Sequence, residues 1–77
     1  MPKYQGHKNW NHWNVSLWLH NDADLLCVMS QNVKKYGSAL AAPLTLISLK
    51  NRGLTHTPDG APYSVSSIRG AIRMLEA

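Results

Sequence analysis

At 77 residues the chain sits near the lower limit at which one hydrophobic core holds a domain together without metal, disulfide or partner. One domain spanning residues 1–77 is therefore expected, as a marginal monomer or a dimer. Cys27 is the only cysteine, which excludes an internal disulfide framework and points to a reducing compartment, the cytoplasm; no apolar stretch reaches the length of a signal peptide or a membrane span. Eight Lys or Arg against four Asp or Glu give a net charge of +4, which favours an acidic partner such as nucleic acid or an acidic protein surface.

Residues 1–8 read as a flexible N-terminal arm. From Asn9 to His20, Trp10, Trp13 and Leu17 recur at three- and four-residue spacing, which predicts a short tryptophan-rich helix. Asp22 is a suitable N-cap for a second helix, in which Leu25, Leu26, Met29, Val33 and Tyr36 form an apolar stripe. Lys34 and Lys35 suit its negative end, and Gly37 terminates it. Ser38 to Ala42 reads as a connector and Pro43 as the first residue of a third helix, with Leu44, Ile47 and also Leu46 facing inward and Gly53 closing it. The alternation through Leu44-Thr45-Leu46-Ile47-Ser48-Leu49 would also suit a strand. Residues 54–63 form a loop, with Thr57-Pro58-Asp59-Gly60 composed as a tight turn and room for a short hairpin. Ser64 or Ser66 then caps a last helix with Val65, Ile68, Ile72 and Leu75 on one face and Arg69 and Arg73, one turn apart, on another. The expected fold is a compact all-α domain of three to four helices, the last two loosely helix-turn-helix-like across a long turn.

The segment Trp13-Asn14-Val15-Ser16-Leu17-Trp18-Leu19-His20-Asn21-Asp22 resembles the signature of a family of small uncharacterised proteins encoded by phages and mobile elements. Thr57-Pro58-Asp59-Gly60 resembles a second landmark of that family. The resemblance implies a genomic setting, and with it the cytoplasm of a bacterial host, but no chemistry. The stretch from Leu49 to Leu75 resembles a DNA-binding segment of serine recombinases. Arg52-Gly53-Leu54, Gly60, Tyr63-Ser64 and Ile68-Arg69 carry the match, with Tyr63 where Trp is commoner. That second resemblance implies duplex DNA as a partner, through a helix, a turn and a second helix.

In a chain with no phenylalanine, Trp13 and at least one other tryptophan are expected to be structural and Trp10 to be exposed, while Asn14 is expected to bond local backbone. His7, His12, His20 and Cys27 match no zinc spacing, so no metal or other cofactor is expected, and Cys27 reads as buried and unreactive. There is no glycine-rich phosphate loop and no paired-carboxylate arrangement, so the chain reads as no enzyme. The candidate binding residues are Lys34, Lys35, Lys50, Arg52, Ser64, Ser66, Arg69, Arg73 and Trp10. Their hydroxyls and cations suit phosphates or an acidic protein. Small size, the family setting and the lack of catalytic groups favour a phage-type protein that binds a host or defence-system protein or nucleoprotein complex. An anti-CRISPR or other anti-defence inhibitor is the most concrete form; a helix-turn-helix-like DNA-binding regulator or recombination accessory protein is the alternative.

Overall fold

A computed structural model of the chain describes residues 9–76 and shows four helices: α1 (Trp10–Asn21), α2 (Ala23–Tyr36), α3 (Ser38–Asn51) and α4 (Val65–Glu76). The expected arm at residues 1–8 lies outside the described residues, as does His7. Two side chains set the first boundaries. Asn9 Oδ1 accepts the His12 amide at 3.0 Å and starts α1, and Asp22 Oδ1 accepts the amides of Asp24 and Leu25 at 3.0 and 3.2 Å and starts α2.

Gly37 is the whole connection between α2 and α3. Its φ of 85° and ψ of 162° lie where only glycine is at ease, so one residue turns the chain and the two helices pack on each other. Asn32 Nδ2 donates to Thr45 Oγ1 across the pair at 3.1 Å. The far end of α3 is closed by a Schellman motif: the Gly53 amide bonds the Lys50 carbonyl, the Leu54 amide bonds the Leu49 carbonyl, both at 2.9 Å, and Gly53 takes φ 76°.

The third helix departs from the sequence reading at its start and in its facing. The expected connector Ser38 to Ala42 is helical, because Ala39, Ala41 and Ala42 are the strongest helix formers, and Pro43 stands in the second turn, where its ring forgoes one bond. The strand alternative for residues 44–49 is excluded by the burial of Ala41, Ala42, Thr45 and Leu49 at helical spacing. Leu46 packs against the core as expected and Leu44 is half-buried, whereas Ile47, expected inward, is 54% exposed. The facing of α1 is also turned: Val15 and Leu19 are fully buried, and the expected stripe of Trp10, Trp13 and Leu17 lies on the outer side. Trp13 and Trp18 are half-buried, in keeping with a structural role, and Trp10 is exposed as expected. On α2, Leu25 and Met29 enter the core, but Tyr36 is 49% exposed. Cys27, two positions from each of the core residues, faces solvent rather than the interior, with Gln31 Nε2 at 3.4 Å from its sulfur.

At α4 the cap is Ser64, not Ser66. The Ser67 amide bonds Ser64 Oγ at 3.1 Å and the Ser64 amide bonds Ser67 Oγ at 3.0 Å, a serine version of the capping box. Ile68, Ala71 and Ile72 are buried, with Val65 and Leu75 packed beside them. α4 packs on α1 and α3 and touches α2, so it is the central element, while α1 and α3 lie apart on its flanks. His20 Nε2 donates to the Ala71 carbonyl at 2.9 Å and fastens α1 to α4. Among the described residues no helix is long and apolar enough to cross a membrane.

The two corner glycines should differ in cost. Nothing lies within 4 Å of a Cβ at either, so the penalty is backbone strain alone. Gly53→Ala, in the left-handed region that Asn and Asp also visit, should cost about 1 kcal/mol, whereas Gly37→Ala should cost about 1–3 kcal/mol. Urea unfolding checks the order; equal stabilities would mean that the chain turns elsewhere.

Candidate functional site

The two motifs that stand out in the sequence meet in space. Asn14 and Trp18, one turn apart on α1, both donate to Asp59 Oδ2, at 2.8 Å from Asn14 Nδ2 and 2.9 Å from the Trp18 indole Nε1. Asn14 Oδ1 in turn accepts the hydroxyl of Thr57, whose own Oγ1 accepts the Ala61 amide at 3.0 Å. The turn is closed by the Gly60 amide on the Thr57 carbonyl at 2.9 Å and the Thr57 amide on the Ala61 carbonyl at 2.8 Å. His56 and Pro62 form a single antiparallel bridge, so the loop is a minimal hairpin. Asn14 is 1% exposed and both ends of its amide are satisfied, so it joins α1 to a loop more than forty residues away instead of bonding local backbone. The two donors hold the exposed Asp59 carboxyl below its ordinary value of 3.8, Asn14 contributing most and Trp18 next. This clasp commits Asn14, Trp18, Thr57 and Asp59 to holding the fold together.

The surface left for partners lies elsewhere. Lys34 and Lys35 are at the Gly37 end of α2, and Lys50 and Arg52 at the opposite end of α3, a separation of about 20 Å along fourteen residues of helix. Arg69 and Arg73 share an exposed face of the central helix. Ser64 Oγ and Ser67 Oγ are bonded to each other at 3.0 Å within the cap, and exposed Ser66 Oγ is 3.2 Å from His12 Nε2. Trp10 stands exposed at the start of α1.

Sequence reasoning missed the feature that separates the two cationic ends. α3 is apolar on both sides: small residues and Leu49 face the core, and Leu40 and Ile47, 55% and 54% exposed, face solvent with half-buried Pro43 and Leu44 between them. Positions 40, 43, 44 and 47 form one stripe, which runs into Lys50 at one end. At the other end Tyr36 stands exposed at the corner, with Lys35 Nζ 5.9 Å from its ring centroid. The continuous apolar composition of α3 was the available signal, since a helix apolar all round is either buried or covered by something else. Among the described residues no group of three His, Cys, Asp or Glu is placed to hold a metal ion.

These features define a small all-α domain, closed by a polar clasp, with an outward apolar helix face between cationic ends. The chain belongs to a family of unknown function (DUF7249), whose model matches residues 1–76 and so takes in both halves of the clasp. No curated protein matches the chain, and no solved structure matches it either.

Asn14→Ala should cost about 1–3 kcal/mol, because it leaves the buried Thr57 hydroxyl without its acceptor. A lowered folded-state value means that Asp59 stabilises the fold above its ordinary 3.8 and that this contribution is lost as pH falls through the folded value. Denaturation followed from neutral pH to pH about 3 should therefore show a steeper acid loss in the parent than in Asp59→Asn. Parallel profiles would mean that the carboxylate is not held by its donors.

Proposed function

We propose that the protein is a non-enzymatic binding module that docks through the outward face of α3 onto a partner protein carrying acidic residues around an apolar centre. In the phage setting implied by the resemblance of the Trp13–Asp22 segment, the partner is a host defence protein or nucleoprotein complex, and inhibition of a CRISPR effector is the most concrete form. One observation carries the reading: two large aliphatic side chains more than half exposed on one helix, in a chain with few apolar residues to spare. The choice of partner rests on charge. From Leu25 to Pro58 the sequence has Lys34, Lys35, Lys50 and Arg52 and no Asp or Glu. A second copy laid antiparallel on this face would bring the Lys50 end of one helix onto the Lys35 end of the other, setting like charges together; an acidic rim would complement both ends. A standard interface buries roughly 800 Å² on each side, more than four side chains provide, so Tyr36 and the flanking cations must take part.

DNA binding is the second reading, favoured by the shared exposure of Arg69 and Arg73 on α4. The Ser64 and Ser67 hydroxyls weigh against it, since each already serves the cap.

Two variants separate the readings. Leu40→Ser/Ile47→Ser touches only exposed positions, so its stability should lie within about 1 kcal/mol of the parent. Expressed in a bacterium whose CRISPR system targets a phage, the parent should restore plaque formation by orders of magnitude and this variant should not. Arg69→Ala/Arg73→Ala should keep that activity. If the parent instead leaves immunity intact and binds duplex with a steep salt dependence whose slope falls by roughly two in the arginine double variant, the DNA reading replaces the first. Self-association abolished by Leu40→Ser/Ile47→Ser in sedimentation equilibrium would make the face a homodimer contact.

A further inference from the structure

Beside the clasp, a groove of about 270 Å³ opens between the α1–α2 corner, the start of α2 and the hairpin loop. Its apolar walls are Leu25, Leu54 and Pro58; Trp18 and Tyr63 add aromatic rings, and Asp22 and His56 complete the lining. It is separate from the outward face of α3, none of whose stripe residues line it.

We infer that this groove receives the side chain of an arginine from a partner protein. Size limits the occupant first. Pockets that hold drug-sized ligands run to roughly 300–1,000 Å³, so this one suits a single long side chain better than a nucleotide or cofactor. Charge limits it next. In a protein with a net charge of +4, the one charged side chain that is always ionised in the lining is the acidic Asp22, and a second carboxylate, Asp59, holds the lining residue Trp18. Arg52 is near in sequence but does not line the groove.

The polar atoms then choose among cations. Asp22 spends Oδ1 on the α2 cap, and its Oδ2 has no partner among the described residues; the Tyr63 hydroxyl has none either. Partial burial raises the Tyr63 pKa and the charge of Asp22 raises it further, so the phenol stays neutral and close to a carboxylate. Two acceptors are too few to replace the water around an ammonium. They are enough for a guanidinium, which is planar, weakly hydrated and satisfied by aromatic surface over the rest of its area. Trp18 is well prepared for this contact: its indole N–H is committed to Asp59, so the ring cannot turn without breaking the clasp.

Titration of the folded protein with the blocked peptide Gly-Arg-Gly, followed by nuclear magnetic resonance, tests the assignment. The Trp18 indole and Tyr63 ring signals should shift saturably, with a dissociation constant of about 5 mM, the range expected for one side chain. The citrulline peptide, equal in shape and uncharged, should give no saturable shift, and the lysine peptide should bind more weakly than arginine. Asp22→Asn keeps a good N-cap while removing the charge, and it should weaken arginine binding about tenfold with the fold unchanged. Tyr63→Phe, a second variant outside the cap, should weaken it as well. Binding of citrulline equal to that of arginine, a lysine peptide that binds more tightly, full affinity in Asp22→Asn, or no shift at about ten times the expected constant would each overturn the inference.

Discussion

One carboxylate oxygen holds the two ends of this domain together. Asp59 Oδ2 receives Asn14 and Trp18 at once, and Thr57 completes the contact from the same turn. Losing either side of the contact with the rest of the fold closed would leave the buried Asn14 amide or the buried Thr57 hydroxyl without its partner, which costs more than the pairing gains. The apolar core beneath them joins Val15 and Leu19 of α1 with Ile68 and Ile72 of α4, and the clasp and the His20–Ala71 bond both fix the register of α1.

The surface follows from what the interior takes. α3 gives the core its small side, Ala41, Ala42 and Thr45, which lets neighbouring helices approach closely, and is left with Leu40, Leu44 and Ile47 outside. A domain of this length has few large aliphatics to place, so leaving two of them in water is a stability loss that a partner surface would recover. The acidic residues show the same division of labour: Asp22 and Asp59 serve the cap and the clasp at one end, and α3 carries cations alone.

The ends of the elements were legible in the sequence, and their facing was not. Asn or Asp before a helix and Gly after it act through local backbone chemistry, so Asp22, Gly37 and Gly53 marked boundaries that the structure keeps. Facing depends on distant partners. On α1 the buried side includes Asn14 and Ser16, and a pattern that equates burial with apolarity assigns the inward face to the tryptophans instead. On α3 every turn is apolar, so periodicity had nothing to discriminate, and Pro43 suggested a helix start that three alanines had already made upstream. The cations among the described residues all lie on exposed positions, but their split between two ends of a helix required the Gly37 corner to be known. Cys27 was misjudged from its neighbours in sequence, which on a helix point to other sides.

The clasp also sets an order of events during synthesis. The α2–α3 pair closes over a span of 13 residues, as the Asn32–Thr45 bond shows, whereas the clasp joins residues 41 to 45 apart and α1 must then wait for α4. On a ribosome that hides the last few tens of residues in its tunnel, α1 therefore emerges long before anything exists to cover Val15, Leu19 or Asn14. The α2–α3 hairpin can assemble meanwhile because its contacts are local, and closure waits until residues 57–59 have emerged. Until the hairpin loop and α4 follow it out, the first helix stays open to whatever the cell offers it.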